Sequence, residues 1–190
     1  MPLDAALSPL VETLIEVGRD LRSAGLVTSH GGNLSARWEQ GACITGTGTM
    51  LGRLTLEDFA VVDSRGRAHG VGDPAPSSDT AIHLAVYERV PEAQVVVHAH
   101  PVHAIALSFE WDAILPINLE GQLFIPRVPV VEAEWQASAG PVAEALREVP
   151  VVMVRGHGAY ARGADGWEAL KWISALDEAA QILILAGKGG

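Results

Sequence analysis

Near the start of the chain, apolar residues recur at spacings of three and four: Leu7, Leu10, Val11, Leu14, Val17 and Leu21. That spacing predicts a helix with one apolar face, ending near Gly25. LSARW and ACITG, separated by the turn-like EQG, predict a hairpin, and FAVVD a third strand. The Gly-rich pieces SHGGN and TGTGT flank this hairpin. HGVGDPAPSS reads as a loop, after which PSSD opens a helix through AIHLAVYERV with a serine as its N-cap. AQVVVHAH predicts a buried strand, and PVHAIALSF a helix with Pro101 in its first turn. RVPVV and PVVMV predict two further strands. A last helix, about Gly166 to Leu185, sets Leu170, Ile173, Leu176, Ala180 and Ile184 on one stripe. With no repeat, linker or low-complexity tract, residues 1–190 form one α/β domain.

Composition narrows what such a domain does. Its 190 residues, 48% hydrophobic and 19% charged, are enough for a real core. A net charge of -10 opposes binding to a nucleic-acid backbone, which needs clustered Lys and Arg. The single cysteine, Cys43, cannot form an internal disulfide and fits a reducing compartment. MPLDAALSPLVETLIEV lacks the basic start of a signal peptide, and apolar runs such as ILILAG fall short of the ~20 residues that span a bilayer. The expectation is a cytoplasmic protein with no membrane or nucleic-acid partner.

The chemistry gathers around the histidines, of which the chain has seven. In VVVHAHPVHA, His98 and His100 stand two apart at the end of a strand, so both imidazoles project to one side while Ala99 faces away. That arrangement can chelate a cation, although two histidines on one face can also be ordinary hydrogen-bonded residues. His157 follows the strand PVVMV and is flanked by Gly156 and Gly158, which leave room around it. Three histidines with an open position form a catalytic zinc centre in which the metal polarises a substrate oxygen. His103, beyond Pro101, is the weaker fourth ligand and reads better as a helix-flank residue; His30, His69 and His83 read the same way, although His83 shares a helical face with Asp79.

SHGGNLS, ITGTGT and PSSD are short and rich in glycine or hydroxyls, and the last stands at a helix start. Backbone N–H groups in such loops, with a helix dipole, can hold a phosphate without Lys or Arg. Each loop alone also reads as a simple turn; three in one domain beside a metal triad favour a small anion.

Together GGNLSAR, ITGTGTMLGRLTLEDF, PSSDTAIHLAVY, VVHAHPVHAIALS and RGHGAY resemble, in order, the class II aldolase/adducin family of metal-dependent sugar-phosphate enzymes. The resemblance covers nearly the whole chain. It implies a single-domain α/β/α sandwich with a central mostly antiparallel sheet, in place of an open parallel sheet, assembled as a homotetramer with active sites at subunit interfaces. It implies zinc on His98, His100 and His157, and a phosphate held at Gly32 and Asn33, Thr47 and Gly48, and Ser77 and Ser78. Asp79 falls where the family's aldolases carry a catalytic Glu, whereas its epimerases read PSSDT, as here. Glu120, in INLEGQLF, falls near a second catalytic acid of epimerase and dehydratase members. No tyrosine follows Tyr160, so the proton-donating tyrosine of the family's longer tails has no match. The implied activity is zinc-dependent aldol cleavage of a sugar phosphate through an enediolate, with Asp79 and then Glu120 as candidate bases. Epimerisation, dehydration and a non-catalytic adducin-like interaction role are the alternatives.

Overall fold

The computed structural model describes residues 7–68 and 74–188. His69, part of the HGVGDPAPSS loop and the N-terminal six residues lie outside that range. Helices form at α1 (Ser8–Ser23), α2 (Thr80–Arg89), α3 (Val102–Ser108), α4 (Leu119–Phe124), α5 (Ala139–Glu148) and α6 (Gly166–Leu185). The strands are β1 (Asn33–Trp38), β2 (Gly41–Thr45), β3 (Phe59–Val62), β4 (Val95–Ala99), β5 (Ala113–Ile114), β6 (Val128–Val131), β7 (Val151–Val154) and β8 (Gly158–Gly163). They join in one sheet of order β3-β2-β1-β4-β8-β7-β6-β5. Every pairing is antiparallel except that of β6 with β7.

Alternation along the central strand divides the core in two. Val95, Val97 and Ala99 of β4 join one cluster with α1, α3 and α6, while Val96 joins the other with α2 and α5. The sheet is therefore covered on both faces, and its central strands read as continuous apolar runs because neither side meets water. On α1 the predicted face is buried at Leu7, Val11, Leu14, Val17 and Leu21, but Leu10 remains 38% exposed.

Several local expectations change. α2 has Asp79 rather than a serine at its N-cap, and Pro101 occupies the N-cap of α3 rather than its first turn. The buried stripe of α6 runs through Ile173, Leu176 and Ala180 to Leu183; Ile184 is 39% exposed and Leu170 is half-buried. GAYARG, which has two glycines and an arginine and no apolar run, forms β8 next to the central strand. Among the described residues no helix is long and apolar enough to cross a membrane.

Candidate active site

Register across the sheet builds the site. Asn33 of β1 stands opposite His98 of β4, and His98 stands opposite Tyr160 of β8. Directly paired residues share a face, so these three side chains form one row across the strands. Two residues on, His100 keeps the same side, and His157 reaches it from the tight turn that joins β7 to β8. His98, His100 and His157 bring one ligand atom each to within 4.8 Å of one another.

Their chemistry suits a cation. His98 Nδ1 lies 3.0 Å from the Ala159 carbonyl, so this nitrogen carries the proton and Nε2 is left with its lone pair, 3.1 Å from His100 Nε2. Burial pushes all three imidazoles below their ordinary value, and on His98 and His100 the neighbouring histidines push the same way. They are neutral at pH 7, and His157 Nδ1 is buried without a partner. A buried lone-pair nitrogen on His98 with ring nitrogens of two other neutral histidines beside it is a donor set that a shared metal ion would satisfy. Room for them depends on Gly158, where a Cβ would stand 2.5 Å from the Ala99 carbonyl and 2.8 Å from His98 Cε1.

Beside the imidazoles lies Asp79, 3% exposed. Oδ2 accepts from Asn33 Nδ2 and from the Tyr160 hydroxyl, both at 2.9 Å, and stands 3.6 Å from His98 Nε2. Oδ1 accepts from Trp135 Nε1 at 2.6 Å. Burial pushes this carboxyl up, but the charge of His98 when that ring is protonated and the Asn33 and Trp135 donors outweigh it and hold it at about 2. Asp79 is therefore ionised. Tyr160, stacked on His98 with ring centroids 4.1 Å apart, is pushed well above its ordinary value by burial and by the carboxylate beside it.

A cavity of about 300 Å³ joins these groups to the glycine and hydroxyl loops. His98, His100, His157 and Asp79 share it with Gly32, Asn33, Thr47, Gly48, Ser77 and Ser78. The two loops are tied together: Thr47 N–H donates to the Ala75 carbonyl and the Ser77 N–H to the Thr45 carbonyl. Gly32 has φ 80°, and a Cβ there would stand 2.6 Å from the His98 carbonyl. None of the described residues lining the cavity is Lys or Arg.

Glu120 is not among these residues; it is exposed on α4, away from the cavity of its own chain. His103 pairs with Asp177 at 3.0 Å, and His83 is buried against Ser35, so neither joins the cluster of His98, His100 and His157. His30 lines the cavity. Two residues of the site had no signal in the sequence reading. Tyr160 is visible only once β8 pairs with β4, and Trp135 belongs to a one-turn 3-10 segment, Trp135–Ala137, with no periodicity to mark it.

Residues 12–184 match the family described as Class II Aldolase and Adducin N-terminal domain. The chain is 32% identical to an L-ribulose-5-phosphate 4-epimerase UlaF of Salmonella paratyphi C, over 95% of its own length and 86% of the other. It is 30% identical to a methylthioribulose-1-phosphate dehydratase of Pseudoalteromonas translucida, over 88% of this chain and 86% of that one. The crystal structure of an L-fuculose-1-phosphate aldolase from Thermus thermophilus superposes with a TM-score of 0.86 at 38% identity, covering 93% of this chain and 94% of that chain. Matched along most of its length and in its fold, the chain belongs to the class II aldolase and adducin family.

Proposed function

We propose that the protein is a zinc-dependent lyase that cleaves a carbon–carbon bond of a sugar phosphate or a related hydroxy-carbonyl phosphate. The observation that carries this reading is one cavity holding three converging neutral imidazoles, a buried ionised carboxylate and paired hydroxyl loops. A divalent ion on His98, His100 and His157 supplies a Lewis acid that polarises a substrate oxygen. The chain does the rest. Gly32, Asn33, Thr47, Gly48, Ser77 and Ser78 hold the phosphate with hydroxyls and backbone N–H groups, in a lining that has no basic side chain among the described residues. Asp79 accepts the proton of the substrate hydroxyl as the bond to the leaving aldehyde breaks. Three donors on that carboxylate weaken it as a base, so one of them must give way.

The Asp at position 79 favours a second reading, epimerisation of the same substrate class on the same metal site, with dehydration as a further alternative. A non-catalytic adducin-like role gives no reason to bury an ionised carboxylate beside three converging neutral imidazoles. Glu120 enters through assembly: it lies on exposed α4, among Ile117, Leu119 and Leu123, which are 46%, 75% and 69% exposed. In a homotetramer that apolar face is covered, and Glu120 serves a neighbouring subunit's cavity as the second acid.

The test is the metal content of the purified protein, followed on the same sample by a retro-aldol assay against ketose 1-phosphates. About one zinc per chain with aldehyde release is the expected result. Zinc without cleavage moves the protein to epimerase or dehydratase, and no metal returns it to the interaction class.

A further inference from the structure

The three donors on Asp79 differ in how firmly they are held. Asn33 is buried on β1 and Tyr160 is fully buried on β8, each pinned by the ladder to β4. Their backbones are fixed by the register that also carries His98, and both side chains are enclosed. Trp135 is 41% exposed, on a single 3-10 turn between β6 and α5 whose neighbours Glu134, Gln136 and Ala137 are also exposed. Its indole nevertheless reaches the cavity and holds Asp79 Oδ1. Of the three donors, this one can leave without disturbing the sheet. A second observation indicates what replaces it: Asn33 Oδ1, in a residue 8% exposed at the cavity wall, is a buried acceptor with no donor. A ligand that fills this corner can bring a hydroxyl donor to Asp79 Oδ1 in place of the indole, beside an amide oxygen that lacks a donor.

We propose that Trp135 is a displaceable mask on Asp79, whose indole N–H yields Oδ1 to a hydroxyl of the entering substrate, making Trp135 a determinant of which hydroxylated substrates are bound. The inference rests on the reading of the site as one that takes a hydroxy-carbonyl phosphate. It also separates two kinds of anion. Inorganic phosphate occupies the hydroxyl loops and leaves the indole in place, whereas dihydroxyacetone phosphate has a hydroxyl to exchange for it.

The experiment is a titration of the zinc-loaded protein and of its Trp135→Phe variant with dihydroxyacetone phosphate and with inorganic phosphate, followed by tryptophan emission. The chain has five tryptophans, and the difference between the two proteins isolates the signal of Trp135. Expected is a change in that signal with dihydroxyacetone phosphate and none with inorganic phosphate. The variant, which has no donor to displace, should bind dihydroxyacetone phosphate about tenfold more tightly, because a hydrogen bond to a charged group is no longer lost on binding. Its affinity for inorganic phosphate should not change. Equal or weaker binding of dihydroxyacetone phosphate by the variant, or a silent Trp135 in the wild type, overturns the displacement and leaves the site reading standing. If neither protein binds dihydroxyacetone phosphate, the site reading fails and the displacement with it.

Discussion

Asp79 occupies the N-cap of α2, yet its side chain caps nothing. An Asp there ordinarily accepts from the helix's own N–H groups, a bond worth about 1 kcal/mol. Here both oxygens are turned to Asn33, Tyr160 and Trp135 instead. A forgone cap beside converging imidazoles marks Asp79 as a residue kept for chemistry, and Asp79→Asn should lower turnover ~10²–10⁴-fold. Metal measured by atomic absorption should stay bound in that variant; full activity would move the base to Glu120. The candidate ligands His98 and His100 are legible in the sequence because a two-residue spacing on a strand settles which side both histidines take. Trp135 was not legible: a lone aromatic on an irregular turn declares nothing about which distant carboxylate it meets.

At the level of elements, the row Asn33–His98–Tyr160 depends on β1, β4 and β8 being neighbours, which no single strand's pattern reveals. The apolar runs of β4 and β7 are plain in the sequence, whereas β8 carries Gly158, Arg162 and Gly163 and has no apolar run to mark it. Its glycine is a packing requirement. In Gly158→Ala the new methyl group would meet the Ala99 carbonyl at 2.5 Å and His100 Cδ2 at 2.7 Å, both in the strand end that carries two ligands. Zinc retained through dialysis should fall at least tenfold in this variant, an expectation scaled on a misplaced metal environment. Unchanged retention would show that the imidazoles are not held by this contact.

Across the whole molecule, the buried titratable groups make acid the direction of weakness. Burial depresses His83 to about 4 from an ordinary value of 6.5, partly offset by Asp79. The unfolded chain therefore binds a proton that the folded chain resists, so stability is full above about pH 6.5 and is lost as pH falls toward 4. The loss from His83 is roughly 3 kcal/mol, and the three cavity histidines add to it in the same direction. Asp79 adds its own loss only below its ordinary value of 3.8. Urea unfolding of the metal-free chain at pH 7 and pH 4.5 should show the drop, and His83→Gln should shrink it. Assembly is a separate whole-molecule question, for which paired Leu119→Glu and Leu123→Glu changes on α4 should yield smaller species in size-exclusion chromatography without unfolding the chain. The sequence could indicate a two-faced sheet but not which surface apolar residues gather, because Leu119 and Leu123 have the same hydropathy as core leucines. The histidine cluster and the carboxylate beside it are held by different parts of the fold: His98 by strand register, His157 by the turn between β7 and β8, and Asp79 Oδ1 by the indole of an exposed turn. Mutation can therefore rewrite that turn while the strands that carry His98 and Tyr160 are inherited intact.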